Sequence, residues 1–241
     1  MTASRNKQQD EQAFVLHSYP FRETSLLLDV FSRRHGRLAI VARGARRPRS
    51  SQRGVLMNFQ PLLLSWFGKG EVRTLHSAEW QGGQPCLQGT ALMCGFYLNE
   101  LLINLLARDD PHEQLFDYYR ITLHRLAHEI DHAATLRCFE KHLLQELGYA
   151  LTLVHEAGSN KAIKAESSYR YAVERGALPD DGDVQTGLPV LGKTLLDMAV
   201  DDYGDTVTAQ QSKQLMRMLL NHHLAGKILH TRELIKDLQK L

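Results

Sequence analysis

"AFVLHSYPFRETSLLLDVFSRRHGRLAIVAR", Ala13 to Arg43, holds three short apolar or alternating runs separated by turn-forming residues. A period of two sends successive side chains to opposite faces of a strand. AFVLHSY (13–19), SLLLDVFS (25–32) and RLAIVAR (37–43) therefore read as strands, and RRHG (33–36) as a hairpin connection with glycine where positive φ is needed. Working outward, FQPLLLSWF (59–67) and EVRTLHSAEW (71–80) supply two more strands, joined by GKG (68–70). Pro61 falls near the start of its strand, where a missing N–H is tolerated. Five short strands within about 70 residues fit a small barrel, and the five-stranded OB-fold is the barrel of this kind whose surface holds nucleic acid. Alternation puts Leu62, Leu64 and Trp66 on one face of their strand and Leu63, Ser65 and Phe67 on the other. Which face meets water stays open at this point.

After Trp80 the period changes. QGGQPCLQG (81–89) is a glycine-rich connector, and from Thr90 the period is helical: Leu92, Phe96, Asn99, Leu102, Ile103 and Leu106 recur at three- and four-residue steps. Pro111 opens a helix over 112–128, and TLRCFEKHLLQELG (135–148) closes at Gly148. Residues 149–189 are mixed, with strand-like YRYAV at 169–173; helices resume over 192–201, 207–224 and 231–240. The expected class is α+β: a five-stranded OB-fold β-barrel at residues 1–82, then an α-helical domain at 83–241 with a short irregular insertion around 150–190.

Composition narrows the function classes. The chain has 241 residues, and no apolar run reaches the roughly 18 residues of a membrane span. MTASRNKQQDEQ at the N-terminus lacks the apolar stretch of a signal peptide, so a cytoplasmic protein is expected. Three dispersed cysteines, Cys86, Cys94 and Cys138, form neither a disulfide framework nor a zinc spacing.

Charge is distributed unevenly. The net charge is +2, yet Val30 to Gly70 contains no carboxylate and nine cations: Arg33, Arg34, Arg37, Arg43, Arg46, Arg47, Arg49, Arg53 and Lys69. Its centre, RGARRPRSSQRG, lies between the third and fourth strands, in a composition that favours a solvated loop. Guanidinium forks match phosphate bidentately and stack on bases. Such one-sided charge suggests a surface for a polyanion, nucleic acid rather than a membrane surface, since no amphipathic helix lies here to insert; Arg73 on the fifth strand joins the candidate set. Phe31, His35, Phe59, Trp66, Phe67 and His76 lie near these charges in sequence, as core or as stacking platforms.

Two strings imitate enzyme motifs. GLPVLGKT, Gly187 to Thr194, has the letters of a phosphate-binding loop, in which Lys193 would reach nucleotide phosphates and Thr194 would hold magnesium. That loop must follow a buried parallel strand, and PDDGDVQT precedes it, so a connector leading into a helix is expected. HEIDH, His128 to His132, has the letters of a zinc-protease helix, with His124 one turn earlier and Glu140 or Glu146 as positional guesses for a further ligand. It falls at a helix end with no covering sheet, so a solvated face is expected. A nucleotide-hydrolysing enzyme built on Lys193 and Thr194, and a helical adaptor whose partner is protein, are the alternative functions. No catalytic residue is assigned.

The block 13–47, QPLLLSWFGKGEVRTLHSAE (60–79), and the pieces GFYLNELL (95–102), LRCFEKHLLQELGY (136–149), YRY (169–171) and RELI (232–235) together resemble the RecO family of bacterial recombination mediators. The resemblance implies an OB-fold barrel followed by an α-helical domain. It implies a non-catalytic DNA repair factor that binds single- and double-stranded DNA and anneals complementary strands. With RecR it would help load the RecA recombinase onto DNA coated by single-stranded DNA-binding protein (SSB). It places family basic positions on Arg37, Arg43, Arg46, Arg49 and Arg53, to which Arg47 adds. Many relatives carry a four-cysteine zinc module matching residues 155–175; this chain has His155 and no cysteine there, so neither zinc nor any other cofactor is expected. The resemblance also implies that the helical domain receives the acidic SSB tail with its terminal Phe. Arg137, with Phe139 and Leu143, is the expected receptor: a cation for the carboxylate and an apolar slot for the ring.

Overall fold

The computed structural model describes residues 7–149, 151–180 and 187–238. Five strands, β1 (Lys7–Phe21), β2 (Ser25–Ser32), β3 (Gly36–Ala42), β4 (Leu62–Phe67) and β5 (Val72–Trp80), close into a barrel in the order β1-β2-β3-β5-β4. All neighbours are antiparallel except β3 and β5, which run parallel over Ala39–Val41 and Val72–Thr74. Then follow α1 (Gly89–Leu105), α2 (Glu113–His128), α3 (His132–Glu146), β6 (Ser168–Ala172), β7 (Gly176–Pro179), β8 (Leu188–Leu191), α4 (Gly192–Ala199), α5 (Thr206–His223) and α6 (His230–Leu238). The last two residues of the helix expected over 231–240 lie outside the described residues. No described helix is long and apolar enough to cross a membrane.

The chain forms two compact units, one of Met1–Glu129 with Leu229–Leu241, the other of Ile130–Ile228. The change of period after Trp80 marks a change of secondary structure rather than of packing: α1, α2 and α6 belong with the barrel. Glu100 on α1 accepts from the Thr231 hydroxyl at 2.5 Å and from the backbone N–H groups of His230 and Thr231, which ties α6 to this unit.

The wet face of β4 is settled by packing. Leu62, Leu64 and Trp66 join Val15, Leu28, Val30, Leu38 and Ile40 in the barrel core. β1 is longer than its apolar run because two neighbours share it. Its polar first half, Lys7 to Ala13, pairs with β4, and Ala13 onward pairs with β2. The strand shifts register between Val15 and His17, leaving Leu16 opposite no partner in β2. The Leu16 carbonyl is recovered by the side-chain amides of Asn58 at 3.2 Å and Asn99 at 2.7 Å. Tyr119 completes this buried chain by donating to Asn99 Oδ1 at 2.5 Å. Burial pushes the Tyr119 phenol far above its ordinary value, so it stays a donor throughout the neutral range. Tyr119→Phe strips that donor from a buried carbonyl and should lower stability by about 1–3 kcal/mol. Both tryptophans, Trp66 and Trp80, lie in this unit, so their fluorescence during urea unfolding checks the loss.

The outer face of β1 and β2 is divided. Phe14 and Phe31 lie under α2, with ring centroids 5.4 and 5.5 Å from Phe116. Beyond the bulge, His17 and Tyr19 on the same strand are exposed. Gly36 turns the β2–β3 hairpin at φ +65°, and a Cβ there would lie 1.9 Å from the Asp110 carbonyl oxygen, so both conformation and space call for glycine.

In the second unit β6 is the centre of a three-stranded antiparallel sheet, β7-β6-β8. The strand-like YRY thus finds two partners, each only four residues long.

Candidate nucleic-acid interface

The arginine-rich connection between β3 and β4 is folded against the barrel, not merely solvated. Ala45 and Leu56 are buried in the barrel core, and residues 51–54 form a 3-10 turn between them. The Arg46 N–H donates to the Thr24 carbonyl at 2.9 Å, and its guanidinium lies 3.4 Å from the carbonyls of Arg22 and Glu23, which fastens the loop to the β1–β2 turn. With the apolar residues turned inward, Arg43, Arg46, Arg47, Arg49 and Arg53 stand exposed. None of the five forms an ion pair with a carboxylate among the described residues. Lys69, exposed in the β4–β5 turn, is likewise free of an acid partner there.

Four other cations of the expected set are paired with carboxylates of the protein itself. Arg37 forms a bidentate pair with Asp29, both bonds at 2.8 Å, and donates from Nη1 to the Ile103 carbonyl at 2.5 Å. Arg34 holds Glu11 through Nε and Nη2 at 2.8 Å; that carboxylate is fully buried and also accepts from the Arg34 N–H and the Ser32 hydroxyl. Arg33 bridges Asp117 at 2.9 Å and Glu113 at 3.3 Å on α2, and the hydrogen bond it donates to Asp117 raises its pKa. Arg73 meets Asp109 at 2.5 Å, with most of its side chain covered. A count of charge along the chain misses these pairs because Glu11, Asp29, Asp109 and Asp117 all lie outside the acid-free window.

Arg43 and Arg47 share a cleft of about 540 Å³ with Phe21, Arg22, Val72 and Arg73. Arg22 escaped the sequence reading because Glu23 beside it cancels its charge locally. The cleft joins the start of the arginine loop, the β1–β2 turn and the parallel β3–β5 seam. It offers three guanidinium groups without an acid partner among the described residues, with the hydroxyl residues Thr24, Ser25 and Thr74 beside them. Of the rings near the charges in sequence, Phe31, Phe59 and Trp66 are buried, and only Phe67, His35 and His76 reach the surface.

The expected receptor on α3 is not open. Phe139 and Leu143 are interior, and Arg137 pairs at 2.5 Å with the fully buried Glu140. Phe139 and Leu143, four apart, share a face, but Arg137 is two residues from Phe139 and belongs to another, where Glu140 at three residues meets it.

The two motif strings fold as other things. Leu188–Leu191 of GLPVLGKT is edge strand β8, antiparallel to β6, where a connector was expected. Gly192 presses on the Lys164 carbonyl, where a Cβ would sit at 1.9 Å. Lys193 is bound by Asp197 and faces Asp205 at 3.7 Å; Thr194 is buried and donates to Gln211 at 2.7 Å. Residues 181–186 of the preceding PDDGDVQT lie outside the described residues. HEIDH is split, with His128 ending α2 and His132 beginning α3, so the two imidazoles do not share one helix face. His124 stacks on His128 with centroids 4.2 Å apart.

The 155–175 segment does not fit zinc. It contains no cysteine, and its turn is closed by backbone bonds instead: Glu156 N–H to the Lys161 carbonyl at 2.8 Å and Asn160 N–H to the Glu156 carbonyl at 3.1 Å. Residues 7–83 match the family described as Recombination protein O N terminal, and residues 86–233 the one described as Recombination protein O C terminal. "DNA repair protein RecO" of Nitrosospira multiformis is 55% identical over 242 residues, covering 100% of both chains. The protein of that name from Dechloromonas aromatica is 55% identical over 98% of this chain and 99% of its own. That from Azoarcus is 52% identical over 99% of this chain and all of its own. With a closed five-stranded barrel at its N-terminus, helices after it and both halves matched, the chain belongs to the RecO family.

Proposed function

We propose that this chain is a non-catalytic DNA-repair and recombination mediator of the cytoplasm, acting at the nucleoid. It binds single- and double-stranded DNA, anneals complementary strands and, with RecR, promotes RecA loading onto SSB-coated DNA. The observation that carries the DNA reading is the row of exposed arginines, Arg43, Arg46, Arg47, Arg49 and Arg53, with no carboxylate partner among the described residues. Cations that a protein holds apart from its own acids are stabilised by an external polyanion, and guanidinium groups contacting phosphate position a strand without reading its sequence. That indifference suits annealing, which must accept any pair of complements. The partnerships with RecR and SSB rest on family membership, and Arg137, Phe139 and Leu143 are not offered again as the tail's receptor.

The test is the rate at which two labelled complementary oligonucleotides pair, followed by fluorescence with and without SSB. The protein should accelerate pairing in both conditions. A rate equal to the spontaneous one in both would remove the annealing role.

A further inference from the structure

We propose that Tyr19, with Phe21 behind it, is a base-stacking platform on the outer face of β1, and that this platform makes the arginine cleft a site for unpaired nucleotides. The inference rests on the DNA reading above and deepens it. His17, Tyr19 and Phe21 pair across to Asp29, Leu27 and Ser25, so all three project to the same side of the sheet. They follow the bulge that carries the strand beyond the cover of α2. Tyr19, two residues before the end of β1, is 45% exposed. His17 lies beside its ring, with centroids 4.3 Å apart and the planes tilted at 54°. Phe21 lines the cleft of Arg22, Arg43 and Arg47, and the Arg22 guanidinium lies 5.3 Å from the Phe21 ring centre.

An aromatic row that runs into a cationic cleft matches the two halves of a nucleotide, a flat apolar base and an anionic linker. Residues two apart on a strand are separated by about 6.6 Å, roughly twice the 3.4 Å rise of stacked bases in a duplex strand. Tyr19 and Phe21 are thus spaced for a strand pulled out of its helical stack. A duplex has no free base faces to offer them, whereas its phosphates reach the arginines equally well.

The test compares wild type, Tyr19→Ala and Tyr19→Phe on an oligo-dT strand and on a duplex of equal length, by anisotropy over a range of salt. Tyr19→Ala should weaken single-strand binding about ten-fold, within the range for loss of one stacked base. Its duplex affinity and salt slope should stay at the wild-type value, and Tyr19→Phe should restore single-strand binding. A 2-aminopurine in the strand should be quenched by wild type and not by Tyr19→Ala. Tryptophan fluorescence confirms that each variant is folded. Unchanged single-strand binding by Tyr19→Ala overturns the platform while leaving the DNA reading intact, and equal losses on strand and duplex overturn it as well. Failure of wild type to bind either DNA overturns the DNA reading itself.

Discussion

Arg37→Ala is expected to destabilise the barrel unit by about 3–5 kcal/mol, the range for removing one partner of a buried ion pair. The resemblance read from the sequence places Arg37 among the expected DNA contacts. The structure gives it other work. Its side chain is 14% exposed, both of its bonds to Asp29 are 2.8 Å, and Nη1 reaches the carbonyls of Ile103 and Leu106 at 2.5 and 3.3 Å. Those carbonyls close α1, where helix geometry leaves acceptors without intrahelical donors and where a cation is favoured. Removing the guanidinium strands Asp29, which is 5% exposed and among the described residues would retain Arg108 alone as a cation partner, at 3.7 Å. Tryptophan fluorescence should report a melting midpoint lower by roughly 10 °C. Arg37→Lys should not rescue it, because a point charge cannot reproduce the planar fork. DNA affinity, measured where the variant is fully folded, should remain near wild type. Loss of affinity at unchanged stability would return Arg37 to the interface.

What the sequence discloses follows the range of the forces involved. Strands β2, β3 and β5 and helices α2 and α5 fall within a residue or two of their expected bounds, because alternation and the three-to-four step are local. The first half of β1 was illegible: Gln8, Gln9 and Asp10 carry no apolar alternation, and only β4 makes a strand of them. β7 and β8 are too short to show a period and exist through β6. The interface was legible as charge but not as availability. Six of ten candidate cations stand free of acids among the described residues, and four are paired with carboxylates 8 to 84 residues away in sequence. The stacking face was hidden for a similar reason, since the bulge after Val15 and the cover of α2 decide which rings of β1 reach water.

Substituting Arg43, Arg46, Arg47 and Arg49 together by alanine should abolish most of the salt dependence of single-strand binding with little change in stability. Each phosphate contact on a single strand contributes about −0.7 to the slope of log affinity against log salt. If Arg53 completes a set of five, the wild-type slope is roughly −3.5, and raising salt from 50 to 200 mM weakens binding about 100-fold. With one contact left the slope is about −0.7 and the same change in salt weakens binding only two- to three-fold. Affinity at the lower salt should fall by orders of magnitude and equally for every sequence tested, since phosphates carry no sequence information. The melting midpoint should change little, because the four side chains are exposed and lack acid partners among the described residues, and the loop keeps its anchors in Ala45, Leu56 and the bond from the Arg46 N–H to the Thr24 carbonyl, losing only the two long 3.4 Å contacts of the Arg46 guanidinium. The contrast with Arg37→Ala is the point: one arginine is spent on the fold and four are held for the ligand. A quadruple variant that keeps the steep slope would place the phosphate contacts on another surface of the chain.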